Sequence, residues 1–203
     1  MLDRVMLGLA RAPLAWAARR LAAAGLRADT VTLCGFACGL GGAVAIALTH
    51  PLIGLAGLLA SRVADGLDGE LARCTQATDR GAFLDIALDF LFYASVPLAF
   101  ALADPVANAL PAAVLLAAFI GTGSSFLAFA VLAERRGLKS TGYPSKGFFY
   151  LGGLTEGTET IACFALMCLM PQHFAWWAYG FAVLCGFTIV TRLAAGWVIF
   201  GSR

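Results

Sequence analysis

Apolar residues fill six long runs along this chain, at roughly 30–49, 51–73, 81–103, 107–133, 147–170 and 174–198. The runs are parted by short breaks: His50-Pro51, the 74–80 loop, Asp104-Pro105, the 134–146 loop and Pro171-Gln172-His173. A helix of about 20 apolar residues crosses the hydrocarbon core of a bilayer, so the pattern predicts six transmembrane helices. Residues 1–27 read differently. Arg4, Arg11, Arg19, Arg20 and Arg27 recur among Leu, Ala, Val and Trp16, with a bend expected at Pro13. A signal peptide keeps its apolar stretch free of charge, whereas a helix lying in the headgroup layer mixes arginine with apolar residues. The expected fold is therefore all-α: a polytopic membrane protein of six transmembrane helices preceded by an N-terminal interfacial amphipathic helix. Residues 1–203 form one membrane domain, since no polar stretch exceeds about a dozen residues, too few for a core of its own.

Composition agrees and narrows the function classes. The chain is 61% hydrophobic and 13% charged, with mean hydropathy +0.85, against about 45–50% and about 25% for ordinary globular chains. That excludes a disordered segment, a nucleic-acid-binding arm and a conventional soluble enzyme. The net charge of +2 says less than where the charges stand. Of the fourteen Lys and Arg residues, none lies in the breaks near 50, 104 and 172. Arg73 and Arg80 flank the 74–80 loop, and Arg135, Arg136, Lys139 and Lys146 surround or fill the 134–146 loop. The positive-inside rule then puts both termini and these two loops in the cytoplasm. Arg62 and Arg192 stand apart, inside spans two and six. The six cysteines form no CxxC pair and read as small packing residues.

The candidate chemistry lies in spans two and three. Carboxylates are costly inside a membrane and mark functional sites, yet Asp65, Asp68, Glu70, Asp85 and Asp89 fall within 25 residues. At 100° per residue, Asp65, Asp68, Gly69, Ala72 and Arg73 form one helical stripe, and Gly81, Asp85 and Asp89 another. If the 74–80 loop is a hairpin, the two helices run antiparallel. Asp65 then lies level with Asp89, Asp68 and Gly69 with Asp85, and Ala72 and Arg73 with Gly81. Four carboxylates so gathered could not stay ionised without compensation. Oxygen-only ligands suit Mg²⁺ or Mn²⁺, and four acids suffice for two ions clamping a displacement at phosphorus. The plainer reading pairs the acids with Arg62, Arg73 and Arg80 as buried salt bridges. The excess of acids over cations and the interleaved small residues weigh against it.

The stretch Asp65–Asp89 resembles the signature of the CDP-alcohol phosphatidyltransferase family, D-x2-D-G-x2-A-R-x8-G-x3-D-x3-D. Every fixed residue is present, as Asp65, Asp68, Gly69, Ala72, Arg73, Gly81, Asp85 and Asp89, with seven residues instead of eight between Arg73 and Gly81. The run Leu26-Arg27-Ala28-Asp29-Thr30-Val31-Thr32 is similar to the family's L-T-P-N-x-x-T segment, keeping Thr32. The resemblance implies transfer of a phosphate-linked group from a CDP-alcohol to a hydroxyl acceptor with release of CMP. It implies metal on Asp65, Asp68, Asp85 and Asp89, with Asp89 also the base for the acceptor hydroxyl. Nucleotide contacts would fall to Gly69, Ala72, Arg73, Gly81, Asp29 and Thr32, and the enzyme would be a homodimer. The favoured donor is CDP-diacylglycerol, entering sideways from the inner leaflet.

A second polar cluster, Thr155–Thr160, holds Glu156 and Glu159 on one predicted helical face with Gly152 and Gly153. One reading satisfies these acids with Arg192 or Arg62. The other puts them in the acceptor pocket, where they would favour an ammonium or a polyol. Arg192, Arg135 and Lys146 are the candidates for holding a phosphorylated acceptor instead. Two rival functions remain at this point: a CDP-ethanolamine or CDP-choline type phosphotransferase with a lipid acceptor, and a cation transporter using the same acids. Transporters commonly carry inverted repeats, and none is detectable here.

Overall fold

The computed structural model describes residues 2–138 and 155–201. It is helical throughout these residues, with α1 at Leu2–Ala23, α2 at Ala28–Ala47, α3 at Pro51–Cys74 and α4 at Asp79–Ala103. After these come α5 at Pro105–Arg135, α6 at Gly157–Leu169, a 3₁₀ turn at Pro171–His173 and α7 at Phe174–Gly201. The N-terminal segment and five of the six apolar runs thus appear as helices within a few residues of their predicted ends. The fifth is described only from Thr155 onward; Lys139, Lys146, Gly152 and Gly153 lie outside the described residues.

Local chemistry explains the boundaries. Pro51 and Pro105 open α3 and α5, where a missing N–H costs nothing. Asp104 caps α5 by accepting from Ala107 N at 3.1 Å, and Thr78 caps α4 by accepting from Gly81 N at 3.0 Å. Helix α5 stops in a Schellman turn. Gly137 at φ +63° donates to Glu134 O at 2.9 Å and Leu138 N to Ala133 O at 3.0 Å. Helix α2 ends in the same way, but with the β-branched Thr49 in the left-handed position, at φ +64°.

Four stretches are long and apolar enough to cross a membrane: α2, α4, α5 and Pro171–Gly201. Helix α3 matches them in length but carries Arg62, Asp65, Asp68, Glu70 and Arg73 from its midpoint onward. The outward faces are apolar, with Val106, Trp176 and Trp197 at least 80% exposed, which fits lipid as the surrounding solvent. The core joins Phe92, Val96 and Phe100 of α4 to Leu115 of α5, Phe164 and Met167 of α6, and Phe174 and Phe181 of α7. Phe100 stacks on Phe174 with ring centroids 4.6 Å apart.

What positions the site is the packing of α2. A Cβ on its Gly42 would lie 2.7 Å from Gly54 O, and one on Gly39 would lie 2.6 Å from Phe92 Cδ2 and 2.9 Å from Ser61 Oγ. Small residues on facing helices allow backbones to approach in this way. Helices α3 and α4 both pack extensively against α2, and scarcely against each other. Helix α2 is their shared wall, and the space left between the two acidic helices is the cleft.

Candidate active site

The cleft is lined from α2 by Thr32, Gly35 and Phe36, from α3 by Ser61, Arg62, Asp65 and Asp68, and from α4 by Asp85, Leu88 and Asp89. All four predicted acids reach it. One carboxylate oxygen from each of Asp65, Asp68 and Asp85 lies within 4.8 Å of the other two. Asp68 is buried, and its Oδ2 has no hydrogen-bond partner. Three like-charged groups at this spacing, one oxygen of them buried and unsatisfied, are what a hard divalent cation would relieve. The donor set therefore fits Mg²⁺ or Mn²⁺.

Asp89 is used differently. Its Oδ1 accepts from Arg62 Nη1 at 2.7 Å, and the same nitrogen lies 3.7 Å from Asp65 Oδ2. The predicted levels hold: Asp65 meets Asp89 through Arg62, and Asp68 meets Asp85. The salt-bridge reading is realised in part. Arg62 does take Asp89, Arg73 pairs with Glu70 at 2.7 Å, and Arg80 pairs with Asp29. None of these pairs supplies Asp68 Oδ2.

The predicted nucleotide residues gather at the ends of α2, α3 and α4. Arg80 Nε donates to Asp29 Oδ2 at 2.9 Å, drawing the first turn of α2 onto the start of α4. A Cβ on Gly81 would stand 3.2 Å from both Asp29 Oδ1 and Thr78 Oγ1, so the glycine keeps this corner open. A Cβ on Gly69 would meet only the Arg73 guanidinium, 3.7 Å away. Thr32 donates to Ala28 O at 3.1 Å and faces the cleft.

Among the described residues, none of the predicted acceptor residues lines this cleft. Helix α6 begins at Gly157, so Glu156 is its N-cap and not an interior position. Glu156 and Glu159 form a capping box, with Glu156 N donating to Glu159 Oε2 at 3.2 Å. Thr155 donates to Thr188 Oγ1 at 3.0 Å. Arg192 donates to Thr122 O at 2.7 Å and lies 3.4 Å from Ser125 Oγ. Arg135, at the end of α5, is exposed, and Lys146 lies outside the described residues. Sequence reasoning had not placed Gly35, Phe36, Ser61 or Leu88 in the cleft. Their only signal was position, one turn from Thr32, Asp65 or Asp85.

The CDP-alcohol phosphatidyltransferase family model matches residues 26–190, most of the chain and the whole of the cleft. The chain belongs to this family. It is a membrane CDP-alcohol phosphatidyltransferase, a transferase of phospholipid biosynthesis, and family membership sets aside the transporter reading. A relative in Escherichia coli (strain K12), inner membrane protein YnjF, is 52% identical over 178 residues, covering 88% of this chain and 86% of its own. With the four apolar helices, this makes the protein an integral membrane protein.

The fold is shared with phosphatidylinositol phosphate synthase (PgsA1) of Mycobacterium tuberculosis. Its crystal structure with CDP-DAG bound has TM-score 0.66 and 23% identity, covering 91% of this chain and 93% of that one. Its complex with manganese and citrate has TM-score 0.71 and 21% identity, covering 91% and 88%.

Proposed function

We propose that this transferase moves a phosphatidyl group from CDP-diacylglycerol to a hydroxyl acceptor and releases CMP. The observation that carries this is the convergence of the Asp65, Asp68 and Asp85 carboxylates within 4.8 Å, beside Asp89 and at the open corner formed by Asp29 and Gly81. The CDP-DAG and manganese complexes of the mycobacterial synthase support the choice of donor and of a divalent ion. Mg²⁺ or Mn²⁺ held by Asp65, Asp68 and Asp85 would neutralise the pyrophosphate oxygens during displacement.

The chain's own residues do the rest. Asp29, Thr32, Gly69, Ala72, Arg73 and Gly81 bind the cytidine diphosphate end and hold CMP in line for departure. Asp89 accepts the proton as the acceptor oxygen bonds to the phosphorus carrying diacylglycerol and the bond to the CMP oxygen breaks. The lipid chains remain between helices, in the bilayer. Helix α3 and the segment completed by α6 count with the four apolar stretches as six spans, behind an interfacial α1. Residues 1–203 act as one domain with termini and cleft cytoplasmic, and two copies pair as a homodimer.

The test is CMP release from CDP-diacylglycerol by the purified protein, with serine, glycerol 3-phosphate, inositol phosphate, ethanolamine and choline offered in turn. Turnover with one acceptor is expected. Release from CDP-ethanolamine with diacylglycerol, and none from CDP-diacylglycerol with any acceptor, would overturn the choice of donor.

A further inference from the structure

Arg62 takes Asp89 and Arg80 takes Asp29, and both of those acids have a part in the proposed reaction. Arg73 takes Glu70, an acid to which neither the metal nest nor the nucleotide corner gives a task. Glu70 is nevertheless buried, with 7% of its surface exposed, and burying a carboxylate is costly unless it is paired. It stands one helical turn beyond Gly66, where Leu14 of α1 meets α3: a Cβ on Gly66 would come 2.9 Å from Leu14 Cδ1. Arg73 lies in the last turn of α3 and is half-exposed. An arginine so placed commonly reaches for the open carbonyls of the helix end or for the headgroup layer. Here the guanidinium is turned back along the helix instead. Its Nη2 donates to Glu70 Oε1 at 2.7 Å, and Nη2 and Nη1 stand 3.7 Å and 3.8 Å from the place of a Gly69 Cβ. Gly69 follows Asp68 on the acidic stripe, and its missing side chain leaves the guanidinium this berth. Glu70 engages Nη2 alone. Nη1 and Nε remain as donors, and a fixed guanidinium with donors to spare suits a phosphate.

We propose that Glu70 is a positioning residue for Arg73: it holds the guanidinium beside Gly69, where it meets the pyrophosphate of the CDP-alcohol. Glu70 itself touches neither substrate nor metal and acts through Arg73 alone. Its buried seat makes it a fixed anchor, and the half-exposed arginine is the part that is steered. The inference rests on the reading of Arg73 as a nucleotide contact and adds the residue that orients it.

The experiment is calorimetric titration of the purified protein in detergent with CDP, Mg²⁺ being present throughout. Glu70→Leu keeps the buried volume but removes the acceptor of Arg73 Nη2, and should raise the Kd for CDP about 3–10-fold. Glu70→Gln keeps an oxygen at that place and should stay within about twofold of the wild type. Arg73→Gln should weaken CDP at least as much as Glu70→Leu does, and the double variant no more than Arg73→Gln alone. A folded Glu70→Leu with the wild-type Kd would overturn this inference alone. So would an equal loss on adding Glu70→Leu to Arg73→Gln, because Glu70 would then act on the fold and not on the arginine. If Glu70→Leu does not fold, Glu70→Asp, one methylene shorter, decides by the same comparison. Arg73→Gln binding CDP as the wild type does would overturn the nucleotide role of Arg73 and this inference with it. A wild type that binds no CDP would remove both together with the choice of donor.

Discussion

Asp29, in the first turn of α2, is clasped by the guanidinium of Arg80, in the first turn of α4. The pair ties the first turn of α2 to the first turn of α4, beside Gly81, and brings α2 to a site whose clustered acids come from α3 and α4. Arg80 is 66% exposed, and exposed pairs contribute about 0–1 kcal/mol. Arg80→Ala is therefore expected to shift the melting temperature little. It should raise the KM for the CDP-alcohol about 3–10-fold by loosening Asp29, with kcat retained. A KM equal to wild type would remove the pair from nucleotide binding.

Asp68 offers the clearest test of the metal nest, because its Oδ2 is buried without a partner. Asp68→Asn should weaken Mn²⁺ binding by more than the about 10–100-fold typical of outer-shell changes. In the wild type, EDTA should abolish CMP release, with recovery on adding Mg²⁺ or Mn²⁺ and none with Zn²⁺. Calorimetric titration of the variant, and turnover after dialysis, measure the two effects. Asp68→Asn binding Mn²⁺ as the wild type does would take Asp68 out of the nest.

Gly42 and Gly41 are neighbours with opposite surroundings. A Cβ on Gly42 would meet Gly54 O at 2.7 Å and Leu58 N at 3.1 Å, all backbone, while one on Gly41 would meet nothing within 4 Å. Gly42→Ala should destabilise by about 1–3 kcal/mol through overpacking and lower activity by shifting α2. Gly41→Ala should be neutral or stabilising by up to about 1 kcal/mol, as alanine favours a helix. Thermal unfolding in one detergent compares them directly, and equal melting temperatures would contradict the close α2–α3 contact.

Glu159 and Glu156 separate capping from acceptor binding. Glu159→Ala removes the acceptor of Glu156 N and should cost about 0.5–2 kcal/mol. Glu156→Gln keeps an oxygen to accept from the first turn, so stability should hold within about 0.5 kcal/mol. Acceptor KM should stay within about twofold, since Glu156 does not line the cleft. A several-fold rise in that KM, with donor KM unchanged, would return Glu156 to the acceptor pocket.

The acidic stripes were legible because a helix repeats every 3.6 residues, so the spacing of Asp65, Asp68, Asp85 and Asp89 fixes which of them share a face. A hairpin loop of known length then sets their levels, and the pairing of Asp65 with Asp89 through Arg62 follows it. Helix ends were legible where a proline, a capping Asp or Thr, or a glycine stood. The Glu156 cap was not, because a glutamate beside a second glutamate three residues on fits a helix interior as well as its first turn.

Periodicity describes one helix at a time, and by it the sequence alone determined the apolar runs, the acidic faces and the family motif. Which faces meet depends on how closely backbones can approach, and on a competition among charges for the same partner. The tertiary structure therefore decided that α2, through Gly39 and Gly42, stands as the wall shared by α3 and α4. It also decided that Arg62 claims Asp89 while Asp65, Asp68 and Asp85 are left facing one another.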